Sequence, residues 1–571
     1  MLNSQPLNSG PLNSLATTST TGPDPVELAP GGSFAWTVAV SVGGTDVSDI
    51  LTGGIKVDRS EDGDSVATFA LWLGLEPVNV IAYTGLPVVI DFIVAGDPAV
   101  IDRRFTGYLV QPEFNVLSRV LSCEATTRLQ DGVEAMEIAA VDTFVGGLWS
   151  EDVFEPVEGR SRWDYAQERL STRAASLNAD RYGAPRITDW HSAAVAYEFK
   201  PGSTIHESID IGLASLSETT NVIELELDYR FTRYRQRNQR YSWEHPGIGG
   251  NRSIDGFTAW RSNSTELPDI AMIVEATESA GWYLTAPTWF RLPGDLPDLP
   301  QPWYNKNTDL LLAADWTASI RWSQRAVEQY RIRLEVADAV AAVGEVIKRE
   351  RVVLDTDTDA DRLWEAGRAS QIDENPTDVP VDVPQRDSAR LQAAMDCALA
   401  RGRAQLLAAQ RQNLVSWQVP LAHALGVDIG QKLRLNDQGA TATGMVTTLV
   451  DEIDIESGAA ILTIGLSVSP GSATSDALVM PPAPSFFDVT GPSVPGALPT
   501  QIGLRSDSPL YDEELPGFAG SYSIGNGDPA LRYPRRMMIN TPEIPEQWRD
   551  EIQAERAMTY RIAPPTDTLE I

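Results

Sequence analysis

Four histidines, two cysteines and one run of alternating aspartates are the residues best suited by type to catalysis or metal binding, and their spacing supports neither. His191, His206, His245 and His423 are scattered, with no His-Glu-x-x-His pair to place two imidazoles on one helix face. Cys123 and Cys397 are the only cysteines, too few for a disulfide framework or a cysteine-built zinc or iron–sulfur site, and they imply maturation in a reducing cytoplasm. Asp355, Asp357, Asp359 and Asp361 alternate as in the first half of a calcium loop. However, Ala360 stands where the turn needs glycine and Ala366 where a bidentate glutamate belongs. A solvated turn capping a helix from about Arg362 accounts for the aspartates better. Ser521-Tyr522-Ser523-Ile524-Gly525 has serine in place of the first glycine of a nucleophile elbow, and no phosphate-binding or dinucleotide fingerprint occurs. These residues assign no catalytic group, no cofactor and no metal.

A second pattern suits binding. Arg230, Arg233, Arg235, Arg237 and Arg240 interleave with Tyr229, Phe231, Tyr234, Tyr241 and Trp243. Such a segment can pair phosphates and stack bases. In an extended strand, period-two placement equally gives an arginine face for carboxylates on another chain. The chain carries 45 Lys plus Arg against 79 Asp plus Glu, a net charge of -34, which disfavours wrapping nucleic acid and favours the interface reading. An acidic surface also suits a channel that DNA crosses without sticking. Residues 260–322 carry six tryptophans and several prolines, and read as an irregular, aromatic-packed insertion whose default role is packing, with sugar stacking as the rival.

The elements that position these residues are mostly strands. Gly85 to Phe92, Phe105 to Val110 and Val120 to Cys123 repeat as Gly430 to Leu435, Thr443 to Thr447 and Ala460 to Ile464. Each set reads as a strand, a gap, a glycine-bearing strand, a turn and a closing strand, the pattern of a small antiparallel barrel. Leu433 and Val446, in the second set, join the arginine segment as candidate interface residues. Helical periodicity marks Ser161 to Ala179 and, more strongly, Asp387 to Gln412, where Asp387 or Ser388 caps. The fold class expected is α+β, predominantly β: two similar small antiparallel barrels, α/β insertions, one long connecting helix and an extended C-terminal tail.

At 571 residues and 42% hydrophobic content the chain holds several domains. The boundaries expected are an extended N-terminal arm (1–33), a first β-barrel (34–145), an α/β insertion (146–221), a mixed β domain with the Trp/Pro-rich insertion (222–384), the long helix (385–413), a second β-barrel segment (414–470), and a Pro-rich linker with C-terminal extension (471–571). The arm begins with Leu-Asn-Ser at positions 2, 7 and 12, spaced by Pro6 and Pro11. No stretch has the apolar length of a signal peptide or membrane span.

Three passages carry a resemblance: Asp46-Val47-Ser48-Asp49-Ile50-Leu51-Thr52-Gly53; Asp228-Tyr229-Arg230-Phe231 with the arginines after it; and the long helix followed by Val419-Pro420-Leu421, Leu425-Gly426, Gly430-Gln431-Lys432-Leu433 and Gly444-Met445-Val446. Over about Phe34 to Ser469, with the Leu-Asn-Ser repeats, the chain resembles the baseplate hub (tail hub) proteins of bacteriophage tails and related contractile injection systems. The resemblance implies a non-enzymatic homotrimer at the virion tail tip, assembled in the host cytoplasm, whose six barrels form a pseudo-sixfold ring. Such a ring joins the tail tube and distal tail protein to threefold tip or fibre proteins, holds the end of the tape-measure protein, and passes DNA without binding it specifically. A siphophage tail is favoured over a contractile one. Some siphophage hubs carry an iron–sulfur cluster, which two cysteines do not support. A receptor- or carbohydrate-binding tip protein using Trp289 and Trp303, and a tail-associated cell-wall hydrolase, remain alternatives.

Overall fold

The computed structural model describes residues 25–28, 34–96, 98–215, 219–244, 268–295, 297–298, 309–356, 381–384, 387–469, 471, 474–486, 518–519, 536–537, 539, 541, 544 and 546–571. Strands account for 47% and helices for 18%, so the fold is predominantly β within an α+β class.

Strands such as Pro87–Val94 and Val120–Thr126 alternate buried and more exposed residues, as the half-buried strands of an antiparallel sheet require. The first strands are β1 (Val26–Leu28), β2 (Trp36–Val42), β3 (Thr45–Asp46), β4 (Leu51–Ser60), β5 (Val66–Trp72), β6 (Pro87–Val94), β7 (Val100–Leu109), β8 (Glu113–Asn115) and β9 (Val120–Thr126). Three short helices follow: α1 (Leu129–Glu134), α2 (Ile138–Val145) and α3 (Arg162–Leu170). Ser161 caps α3 by accepting from the Asp164 amide. The helical periodicity expected to Ala179 ends early, because Ala175–Ala179 is instead β10, buried at every position and hairpinned to β11 (Pro185–Asp189). Then come β12 (Val195–Phe199) and β13 (Asp210–Gly212).

The middle of the chain is an arm built on two long strands, β14 (Val222–Glu244) and, after α4 (Ile270–Ser279) and β15 (Tyr283–Arg291), β16 (Leu311–Glu335). They pair antiparallel from Val222↔Glu335 to Glu244↔Ala313, a ribbon of roughly 75 Å at strand rise. The described part of the Trp-rich span is therefore more regular than its composition predicts: Trp316 and Trp322 lie on β16 and Trp289 on β15. Helix α5 (Ala337–Val343), β17 (Ile347–Asp355) and β18 (Val381–Pro384) follow. Asp357, Asp359 and Asp361 lie outside the described residues.

Helix α6 (Ser388–Ala409) is capped by the Asp387 carboxylate, which accepts from the Arg390 amide, and Arg390 in turn grips Asp152 with two guanidinium nitrogens. It lies on β14 and β16 so closely that a Cβ on Gly402 would come 2.5 Å from Leu334 Cδ1. Leu391, Met395, Leu399 and Leu406 thus share a core with Leu225, Tyr229, Tyr330 and Leu334.

After α6 run β19 (Asn413–Pro420), β20 (Lys432–Asp437), β21 (Ala440–Asp454) and β22 (Ala459–Val468). The remainder, expected to be an extended tail, contributes β23 (Phe518–Ala519), β24 (Arg536–Met537), α7 (Glu546–Arg549), β25 (Ile552–Arg561) and β26 (Leu569–Glu570). β25 pairs parallel to β16 over ten residues, and β26 closes on β21. Only Ala554 and Tyr560 of β25 are buried, which hides a strand in a polar sequence.

The repeat is a repeat of topology. In the first lobe the pairing path is β6, β7, β9, β5, β4; in the second it is β20, β21, β22, β19, β13. Every step is antiparallel and the order along the chain is the same in both. Gly85 and Gly430 both precede the first strand at positive φ, +79° and +80°. Their amides donate to Leu109 and Val446, which donate back to Leu86 and Gln431. Gly107 and Gly444 sit where the middle strand crosses to the third, and a Cβ there would come 2.5 Å from Thr126 O or 2.3 Å from Ser467 O.

Two corrections to the barrel boundaries follow. The second lobe is incomplete within 414–470, since β12 and β13 come from earlier in the chain. The lobes also merge, because β4 pairs with β21 from Thr448↔Ser60 to Asp454↔Gly54, making one 16-stranded sheet over one core. Residues 213–412, including the arm and α6, occupy the position of the short β4–β5 turn of the first lobe.

Candidate assembly interface

The β4–β21 seam is where the chain joins its own two lobes. Around it lies a cluster of four guanidiniums and three carboxylates. Arg104, on β7 and fully buried, donates from Nε at 2.9 Å and Nη2 at 2.5 Å to Asp451 on β21, and from Nη1 at 2.7 Å to Asp102. Arg59, on β4, reaches Asp428 at 3.2 Å and Asp451 at 3.5 Å. Arg181 bridges Asp102 at 2.5 Å and Asp428 at 3.8 Å, and Arg186 holds Asp428 at 2.9 Å.

These charges shape one another. Burial, reinforced by the Arg104 charge, pushes the Arg59 guanidinium down to about 10 against the pull of Asp451 and Asp428. Burial also disfavours the Arg104 cation, but Asp451 and Asp102 outweigh it and hold that group above its ordinary value. For Asp428 burial pushes up, and Arg59, Arg186 and Arg181 together reverse the sign, so its carboxyl lies below the usual range. The cluster is an electrostatic lock between lobes: taking away one partner strands a buried charge.

Sequence reading missed all seven residues. Arg104 and Asp451 are 347 positions apart, and nothing local distinguishes them among the 45 basic and 79 acidic residues.

The residues expected at an interface divide differently. Leu433 and Val446 are wholly buried in the shared core, so their side chains are taken by packing within the chain. Trp243 and Arg237 are buried too. Four aromatic residues of β14 turn inward: Tyr229 and Phe231 pack beneath α6, while Tyr241 and Trp243 pack beside Ile273 and Ala276 of α4. Between these cores runs a buried polar belt of Arg237, Asn238, Gln239 and Ser319, the last donating to Asn238 at 2.7 Å. Arg240 is exposed and Arg230 half-buried, while the side chains of Arg233, Tyr234 and Arg235 fall outside the described residues.

The other candidate chemistry is not brought together. A cleft of about 610 Å³ between α6 and the β10–β11 hairpin is lined by His191, Arg173, Asp189, Asp396 and Arg403. Asp189 is engaged by Arg173 at 2.9 Å and Asp396 by Gln392 at 2.7 Å. Among the described residues no group of three or more His, Cys, Asp and Glu converges as a metal site. Trp289 is half-buried against the α4 core. Trp303, His245 and Ser521–Gly525 lie outside the described residues. Among the described residues no helix is long and apolar enough to cross a membrane.

No family model matches the chain, and no curated protein matches it. Solved structures similar to it include tail and secretion proteins. It is similar to the 43 kDa tail protein of prophage MuSo2 from Shewanella oneidensis, at 10% identity and TM-score 0.36, over 76% of this chain and 98% of that one. A tail protein from Neisseria meningitidis MC58 gives 10% identity and TM-score 0.36, over 76% and 96%. The E. coli c3393 protein, a component of the type VI secretion system, gives 6% identity and TM-score 0.28, over 76% and 82%.

Proposed function

We propose that this chain is a structural baseplate hub of a bacteriophage tail: a homotrimer in which two similar lobes per chain make a pseudo-sixfold ring at the tail tip. The observation that carries the reading is the topological repeat, two lobes with one strand order fused edge to edge by β4 and β21. A chain that already presents two equivalent units lets three copies present six, which is what a joint between threefold and sixfold parts requires. In this reading the ring meets the tail tube and distal tail protein on one side and threefold tip or fibre proteins on the other. Its lumen holds the end of the tape-measure protein and then passes DNA. The net charge of -34 keeps such a lumen from binding the phosphate backbone. The role is mechanical, with no catalytic group, cofactor or metal assigned.

The test is copy number in place. Quantified against the tube protein in purified virions, the chain should be present at three copies per tail and be labelled at the tip by an antibody. Six or more copies, or labelling along the tube, would overturn the hub reading.

A further inference from the structure

Topological equivalence between the lobes extends to individual residues, and it exposes an unmatched pair of edges. Tyr108 faces Thr126 as Met445 faces Ser467. Counting along β9 and β22 from that match, Glu113, Phe114 and Asn115 of β8 take the places of Val450, Asp451 and Glu452 of β21. Counting along β5 and β19 makes Asp210, Ile211 and Gly212 of β13 equivalent to Lys56, Val57 and Asp58 of β4. Within the chain β4 docks on β21. Its counterparts do not meet the same way: among the described residues β13 pairs only with β19, and β8 only with β9. Among the described residues each therefore offers a free backbone edge, a ready template for another strand.

The side chains at these two edges match. On the inward face of the internal seam, Ile55, Val57 and Arg59 stand opposite Ile453, Asp451 and Leu449. The equivalent residues are Ile209, Ile211 and Leu213 on one edge, and Val116, Phe114 and Pro112 on the other. All six are apolar. Ile453 is 1% exposed whereas its counterpart Val116 is 71% exposed, and Arg59 is 3% exposed whereas Leu213 is 72% exposed. The Arg59–Asp451 ion pair of the seam is thus replaced by Leu213 and Phe114 at the free ends, an exchange of charge for apolar volume that buried sites tolerate. On the outward face Asp210 would oppose Asn115 and Gly212 would oppose Glu113, with no like-charge pair.

We infer that β13 of one copy pairs antiparallel with β8 of the next copy, in the register Gly212 to Glu113, Ile211 to Phe114 and Asp210 to Asn115. The contact repeats the internal β4–β21 seam between chains. It is head-to-tail, which excludes a twofold dimer and gives a ring where the rotation between copies closes, as the threefold proposed above requires. This rests on the ring proposed above and adds its partner surfaces and register.

The experiment is oxidative cross-linking of the full chain carrying Ile211→Cys and Phe114→Cys together. Facing positions of an antiparallel pair have Cβ atoms about 4.5–5.5 Å apart, within reach of a disulfide after slight adjustment. The native Cys123 and Cys397 are buried, their thiols pushed up to about 12 and about 11 by that burial, so they give little background. The expected result is a covalent ladder ending at three chains on a non-reducing gel, absent from each single variant. A parent protein that is trimeric by native mass, with a double variant that is trimeric yet never cross-links, overturns this junction and leaves the ring standing. A parent that is monomeric overturns the ring itself. Val116→Glu serves as the second variant, because an exposed turn residue is not needed for folding of one chain. It should weaken trimer association at least about tenfold with an unchanged unfolding midpoint of the monomer, and unchanged association would overturn the junction.

Discussion

The two lobes share a strand order and differ in what covers their ends. In the second lobe the far half of β21 is roofed by β4, and Asp451 there is completely buried between Arg59 and Arg104. In the first lobe the equivalent strand β8 has no second neighbour among the described residues, and Phe114 stands half-buried where Asp451 stands in the other. Two copies of one topology have thus become a finished joint and an open one. The finished joint shows what the open one lacks: a strand on its outer edge.

The largest expected difference lies in the charges. Asp451→Ala leaves two buried cations, Arg104 and Arg59, with only Asp102 and Asp428 respectively and should cost about 3–5 kcal/mol in denaturant unfolding. Phe114→Ala, at the equivalent place, should cost the isolated chain under about 2 kcal/mol, since its ring is only half-buried. Equal losses would break the comparison.

Next come the crossing glycines, where the lobes should behave alike. Gly107→Ala and Gly444→Ala each force a Cβ into a carbonyl oxygen and should each cost about 1–3 kcal/mol. A loss confined to one lobe would mean the repeat is only superficial.

Smaller again is the effect of acid on the seam. The folded-state pKa of Asp428 is depressed below 3.8, so its contribution is fully present above the unfolded value and is lost as pH falls through the lower folded one. Between pH 5 and pH 3 the chain should lose stability. Asp428→Asn, less stable at pH 5, should show a shallower loss over that range, measured by urea midpoint. A slope unchanged by the substitution would remove Asp428 from the lock. Smallest is Lys56→Ala, which breaks an exposed pair with Asp58 at 2.9 Å and should change stability by less than about 0.5 kcal/mol.

How much of this was legible in the sequence follows from how local each feature is. Glycines with positive φ and strands of alternating burial are written in short windows, so the repeat around Gly85 and Gly430 was readable, as was α6 through its Asp387 cap. β13 was not, because a three-residue strand has no periodicity and its partner β19 lies beyond residues 213–412. The arginine run reads as an arginine face for carboxylates on another chain; of its described side chains Arg240 is exposed, Arg230 half-buried and Arg237 buried, because β14 is a central strand that turns Tyr229, Phe231, Tyr241 and Trp243 into two cores, and alternation gives the face but not what covers it. Leu433 and Val446 turn into the chain's own core for a related reason, since strand pattern marks the inward side without saying whose interior it faces. The arginine–aspartate lock left no signal because long-range ion pairs have none in a single sequence.

The most direct test of the central claim is imaging of the purified full-length protein by single-particle electron microscopy, with native mass on the same sample. The account predicts a particle of three chains whose projections along the axis show six similar lobes around a lumen. A stable monomer that is also monomeric inside the virion, or a twofold dimer, would contradict it.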